Sequence, residues 1–163
     1  MKKSLILEAS ILIVDDTEAN IILLTRMLIN AGYSSVSSTM KPAEVCGLYM
    51  ENFYDIIILD LQMPIVDGFH VMSQLRDVIS DEYLPVVVIT AQPTHKLKAL
   101  QAGARDFITK PFDQTEVLIR VRNLIEVRLL EKKLRGYNEF LEQVCKAGTS
   151  PVDMANQISV EFE

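Results

Sequence analysis

Tryptophan is absent from this chain, and cysteine and histidine occur only twice each. Cys46 and Cys145 lie far apart, in no Cys-x-x-Cys or Cys/His spacing. That excludes a thiol-based metal or redox motif and reads as two small apolar fillers in a reducing compartment. A basic excess is also missing: 16 Lys and Arg against 22 Asp and Glu leave a net charge of −6. Nonspecific nucleic-acid binding needs a basic surface, so no direct nucleic-acid partner is expected. No apolar run approaches the ~18–20 residues that span a bilayer, so no membrane partner is expected either. The opening Met1-Lys-Lys-Ser-Leu-Ile-Leu imitates a signal peptide, but Glu8 interrupts it and the next apolar run leads into Asp15-Asp16. A soluble, cytoplasmic location is the expectation. At 163 residues the chain holds one domain with length to spare, since domains cluster near ~100–150 residues.

What is present is a rhythm of short apolar runs, each followed by a helical pattern. Ile11–Val14 ends at Asp15-Asp16. Thr17 is a candidate N-cap for a helix whose stripe is Ile21, Leu24, Leu28 and Ala31, and Gly32 stops it. Ser34–Ser38 reads as a weak edge strand, and Pro42 opens a helix over Ala43–Glu51. Asp55–Leu59 is the third strand, with a helix over Gly68–Ile79. Pro85–Ile89 is the fourth, ending at Thr90, with a helix over Thr94–Ala102. Asp106–Thr109 is the fifth, ending at Lys110-Pro111-Phe112. Alternation of this kind implies βαβ units, hence a doubly wound α/β fold with a five-stranded parallel sheet. Such sheets bind ligands outside the carboxyl ends of their strands.

Those ends carry Asp15 and Asp16, Asp60, Thr90 and Lys110. Three carboxylates so close repel one another, and one lysine cannot neutralise them. A hard divalent cation would, because oxygen-rich sites with open positions suit Mg²⁺. A carboxylate beside bound Mg²⁺ can attack a phosphoryl group, with a hydroxyl and an ammonium holding its oxygens. Singly, these features are commonplace: an acidic pair after a strand is often a turn or cap, and Asp67-Gly68 reads as a turn before the third helix. Asp60 is less easily dismissed, since a buried apolar run ending in Asp before Met63-Pro64 has few structural uses. His70 and His95 fall on helical segments away from the strand tips and are read as surface or packing residues, not phosphate carriers.

Together, Asp15-Asp16, Asp60 with Met63-Pro64 and Asp67-Gly68, Thr90-Ala91, and Lys110-Pro111-Phe112 resemble the receiver domain of a two-component response regulator, similar to the single-domain chemotaxis regulators. The resemblance implies a flavodoxin-like strand order 2-1-3-4-5 and a phosphoacceptor switch rather than an enzyme. Asp60 would accept a phosphoryl group from a histidine kinase or phosphotransfer protein. Asp16 would be a direct Mg²⁺ ligand, Asp15 would hold a metal-bound water, and the Gln62 carbonyl would be a further ligand. Thr90 and Lys110 would contact the phosphoryl group, and Phe107 takes the aromatic switch position without the hydroxyl a tyrosine would bring. The lysine loop implies a cis Lys110–Pro111 bond. The competing reading is a Mg²⁺-dependent phosphatase of the haloacid dehalogenase type. That family needs a second Asp two residues after the nucleophile, where this chain has Gln62, and here the acid pair precedes the nucleophile.

From Asp113 a helical pattern runs to Lys146. Val117, Leu118, Val121 and Ile125 would pack on the receiver, while Val127, Leu130, Leu134, Tyr137, Leu141 and Val144 repeat at 3-4-3-4-3 spacing, an a/d seam. A lone helix cannot bury such a seam, so a homodimer through a coiled coil is expected, against the alternative of folding back on its own domain. Pro111–Leu130 resembles the junction of receiver–HD-GYP regulators and related receiver–GGDEF ones, although neither motif follows. The expected organisation is an N-terminal extension over 1–9, the receiver over 10–127, a signalling helix over 128–146 and a mobile tail over 147–163.

Overall fold

The computed structural model describes residues 3–79, 83–92 and 94–146. The 147–163 segment, read above as a mobile tail, lies outside the described residues. The chain divides into two compact units, residues 1–129 and 130–163.

The first unit is built on five parallel strands, β1 Ser10–Val14, β2 Ser35–Thr39, β3 Ile56–Asp60, β4 Val86–Thr90 and β5 Asp106–Thr109, in the order β2-β1-β3-β4-β5. The helices are α1 Lys3–Leu7, α2 Glu18–Asn30, α3 Val45–Asn52, α4 Gly68–Val78, α5 His95–Gln101 and α6 Gln114–Lys146, with a 3₁₀ turn over Pro42–Glu44. β3 and β4 are buried at every position, as continuous aliphatic runs in a sheet covered on both faces must be. β2 stays partly exposed over most of its length, consistent with its place at the edge.

Because neighbouring side chains on a strand point to opposite faces, β1, β3 and β4 feed two cores. One joins Leu12, Leu59 and Val88 to Val71 and Leu75 of α4. The other joins Ile13, Ile58 and Ile89 to Leu24 and Leu28 of α2 and to Val117, Val121 and Ile125 of α6. Two details depart from the sequence reading. The stretch before β1 is not a bare extension: α1 buries Ile6 in the second core, and Ser34 N–H bonds the Leu7 carbonyl. Ala31, placed on the buried stripe of α2, is exposed and serves as the C-cap, ahead of Gly32 at φ 99°. The Lys110–Pro111 peptide bond is cis.

α6 is one continuous helix through Gly136, starting at an Asp113 carboxylate that accepts from the N–H groups of Thr115 and Glu116. Arg128, fully buried, donates to the Tyr83 carbonyl ahead of β4. Along the seam, Val127, Leu130, Leu134, Tyr137 and Leu141 are about half exposed, but Val144 is 4% exposed. The last seam position is therefore not an open apolar residue, contrary to its expected role. No helix among the described residues is long and apolar enough to cross a membrane.

Candidate phosphoryl-transfer site

The sheet order brings the carboxyl ends of β1, β3, β4 and β5 side by side, so residues far apart in sequence converge. Asp15, Asp16 and Asp60 each place a carboxylate oxygen within 4.8 Å of the others. Lys110 Nζ lies 3.0 Å from Asp60 Oδ2 and 3.4 Å from Asp15 Oδ2. Asp15 and Asp60 are buried, and Asp16 is half-exposed at the rim.

Each carboxylate is held by its own local chemistry. Asp15 Oδ1 accepts from the Thr17 N–H at 2.8 Å and from Asn20 Nδ2 at 3.1 Å, and Asn20 also reaches Oδ2 at 3.0 Å. Thr17 stands at the N-cap position of α2 without a side-chain cap bond, and its hydroxyl donates to Asp16 Oδ1 at 3.3 Å instead. That corrects its reading as a capping side chain. Asp60 Oδ1 accepts from the Gln62 N–H at 3.2 Å. Burial pushes the Asp60 carboxyl above its ordinary range; the Lys110 hydrogen bond and charge and the Gln62 N–H pull it back without cancelling the rise, and Asp15 adds to it.

Thr90 is fully buried at the tip of β4, with its hydroxyl turned to the loop beyond. It accepts from the Gln92 N–H at 3.1 Å and donates to the Gln92 carbonyl at 3.4 Å. Phe107 lies on the edge strand β5, half-buried, with Lys96 Nζ 4.5 Å and Arg120 Cζ 5.8 Å from its ring centroid. The structure thus brings Asp15, Asp16, Asp60, Gln62 and Lys110 together, sets Thr90 beside them and leaves Phe107 at the sheet edge.

Sequence reasoning missed two residues. Asn20, five residues after Asp15, forks onto its carboxylate from the first turn of α2, a contact that no sequence signal marks. Gly68 was read as a turn residue. A Cβ there would stand 2.6 Å from the Asp60 carbonyl oxygen and 2.9 Å from Leu61 Cα. Glycine is therefore required for α4 to start this close to the strand tip, where Asp67 caps it by accepting from the His70 N–H at 2.8 Å. Between them and β3, Ile65 is fully exposed at φ 71°, a left-handed conformation rare for a β-branched residue.

Residues 11–122 match the response regulator receiver domain family. The chain belongs to that family. Response regulator PleD of Caulobacter vibrioides is 40% identical over 131 residues, covering 79% of this chain and 29% of PleD. The transcriptional regulatory protein ResD of Bacillus subtilis is 35% identical over 120 residues, covering 72% of this chain and 48% of ResD. The chain thus spans less than half the length of either relative. Among solved structures, a response regulator from Chloroflexus aurantiacus aligns at TM-score 0.66 and 30% identity, over 73% of this chain and 98% of that one. The Vibrio cholerae chemotaxis protein CheY4 aligns at TM-score 0.66 and 25% identity, over 72% and 98%. Receiver domains are phosphoacceptor switches of two-component systems and interact with histidine kinases or phosphotransfer proteins. In this receiver, the acidic cluster and the lysine lie at the strand ends where the sheet topology calls for a site.

Proposed function

We propose that this receiver takes a phosphoryl group on Asp60. The observation that carries the reading is the buried Asp60 carboxylate at the tip of β3, 3.0 Å from Lys110 Nζ and within 4.8 Å of two further carboxylates. Asp60 attacks the phosphorus of a phosphohistidine on a sensor kinase or phosphotransfer protein. The new O–P bond forms as the donor's N–P bond breaks, and the imidazole leaves with the bonding pair. Lys110, already on Asp60 Oδ2, and the Thr90 hydroxyl, released from Gln92, contact the oxygens of the transferred group.

The donor set fits Mg²⁺: all ligating atoms are hard oxygens, and three carboxylates against one ammonium leave uncompensated negative charge. Asp16 and Asp60 would ligate it directly with the Gln62 carbonyl, and Asp15 would hold a metal-bound water. Bound there, Mg²⁺ offsets the charge that builds up on the phosphoryl oxygens. The haloacid dehalogenase alternative finds no support, because the general-acid position is Gln62, whose N–H serves Asp60.

Residues 10–127 act as the receiver and 128–146 as a signalling helix. Its seam supports a parallel homodimer with both receivers at the same end. The resemblance of 111–130 to HD-GYP and GGDEF junctions supports a downstream output domain as the alternative target of the signal. The test of the site is labelling by acetyl phosphate with Mg²⁺, with acetate as the leaving group. One phosphoryl group should appear on the wild type and none on Asp60→Asn, and Asp16→Ala should bind Mg²⁺ more weakly, by a larger margin than Thr90→Ala. Equal labelling of Asp60→Asn would sink the assignment.

A further inference from the structure

We infer that Lys96 and Arg120 are positioning residues that clamp the Phe107 ring at the sheet edge and so set how readily this receiver switches. The inference rests on the reading that Asp60 takes a phosphoryl group, and it concerns what resists the resulting change.

The fold puts Phe107 on the same face of the sheet as Thr90. β4 and β5 pair in parallel with Val88 opposite Phe107 and Thr90 opposite Thr109, and alternate residues on a strand share a face. Val88 lies in the core on that face, whereas Ile108 points into the other core. The Phe107 ring belongs to neither core cluster. It is half-buried between two helices, with Lys96 of α5 at 4.5 Å from its centroid and Arg120 of α6 at 5.8 Å. A phenyl ring has no hydroxyl with which to hold this half-buried position by hydrogen bonding. The attraction of two cations to its π face does that work here.

Arg120 is itself fixed. Its Nη1 donates to both oxygens of Asp106, at 2.6 and 2.7 Å, and its Nε donates to Glu116 at 2.9 Å. The carboxylate of the residue just before Phe107 thus holds the guanidinium beside the ring. Lys96 is placed differently. It sits in the first turn of α5, directly after the loop whose Gln92 backbone holds the Thr90 hydroxyl. Drawing that hydroxyl toward a phosphoryl group breaks both Gln92 bonds and frees the loop leading into Lys96. The event that opens space beside Thr90 therefore also loosens one jaw of the clamp. Arg120, anchored to β5 and α6, is the jaw that remains.

Each cation favours the half-buried ring position seen here, so each lowers the population in which the ring has moved and a phosphoryl mimic binds tightly. Removing one should tighten beryllofluoride binding by about two- to five-fold, the range set by one exposed cation–π contact. The test uses the full chain with Mg²⁺, comparing wild type with Lys96→Met, which keeps the aliphatic stem, and Lys96→Arg, which keeps the charge. A 4-fluorophenylalanine at position 107 reports the ring by ¹⁹F NMR. Lys96→Met should bind beryllofluoride more tightly and, without it, show a larger share of a second ring signal. Lys96→Arg should match the wild type on both. Asp106→Asn, which weakens the hold on Arg120 while its amide oxygen can still accept from the Phe107 N–H as Asp106 Oδ1 does at 2.8 Å, should shift the ¹⁹F signal in the same direction as Lys96→Met. An unchanged ring signal and unchanged affinity in Lys96→Met would overturn the clamp. A wild type that never binds beryllofluoride would instead overturn the Asp60 reading, while the ring signal would still report on the clamp.

Discussion

Replacing Leu134 by glutamate tests whether α6 pairs with a second copy of itself. The seam exposes Val127 by 47%, Leu130 by 57%, Leu134 by 61%, Tyr137 by 49% and Leu141 by 51%. Full burial of such a side chain stabilises by ~1.5–3 kcal/mol, so covering the exposed half is worth roughly 1 kcal/mol each. Five residues on each of two helices then give a gross gain of about 10 kcal/mol; Val144, at 4% exposure, adds nothing. Lost rigid-body freedom and side-chain ordering cost ~4–15 kcal/mol; a preformed helix sits at the low end, and a cost of about 5 kcal/mol leaves a net on the order of −5 kcal/mol and a Kd of about 0.2 mM. Leu134→Glu removes roughly 2 kcal/mol of that burial across the pair and places two like charges at the interface, where desolvating each costs several kcal/mol. The sum exceeds the whole net, so the variant should be monomeric throughout. Leu134 belongs to the second compact unit and no site residue does, so labelling of Asp60 should persist. Sedimentation velocity from tenfold below to tenfold above the expected Kd reads the outcome, with Gln143→Glu, exposed and off the seam, as the charge control. A wild type monomeric over that range, or a dimer indifferent to Leu134→Glu, would refute the seam.

Two further expectations come from the site itself. In metal-free buffer Asp60→Asn should melt higher than the wild type. Burial raises the folded-state pKa of Asp60, so its ionisation costs stability at every pH above that value. The cost fades as pH falls through the folded-state pKa toward the ordinary carboxylate value, so the gap between the two proteins should close on acidification; a wild type the more stable of the two at pH 8 would contradict the burial argument. Gly68→Ala should lose about 1–3 kcal/mol in denaturant unfolding, because its Cβ meets backbone that cannot swing aside. It should also weaken beryllofluoride binding, as the displaced atoms include the Asp60 carbonyl; an alanine variant of wild-type stability would show that α4 can slide freely.

What could be read without coordinates was whatever short-range chemistry encodes. Buried β3 and β4 announce themselves as aliphatic runs, because a strand covered on both faces needs no polar alternation. Met63-Pro64 marks the exit from β3 because proline cannot continue a central strand. The receiver's site was legible for a related reason: its chemical groups stand at the last residue of a strand or just beyond it. Asn20 escaped because nothing in an Asp-to-Asn spacing says that the side chain will turn back onto Asp15. Gly68 escaped because its role is defined by the Asp60 carbonyl it lets α4 approach, which no local turn rule contains. The same limit explains Ile6, which reads as part of an extension until the second core takes it up, and Val144, buried at a position whose spacing marks it as seam. The sequence by itself determined which residues stand at the strand tips. Only the tertiary structure decided their partnerships, since the bonds from Lys110 to Asp60 and Asp15 cross 50 and 95 residues. Contacts over such separations exist only after the parallel crossovers have closed, and no local propensity specifies them.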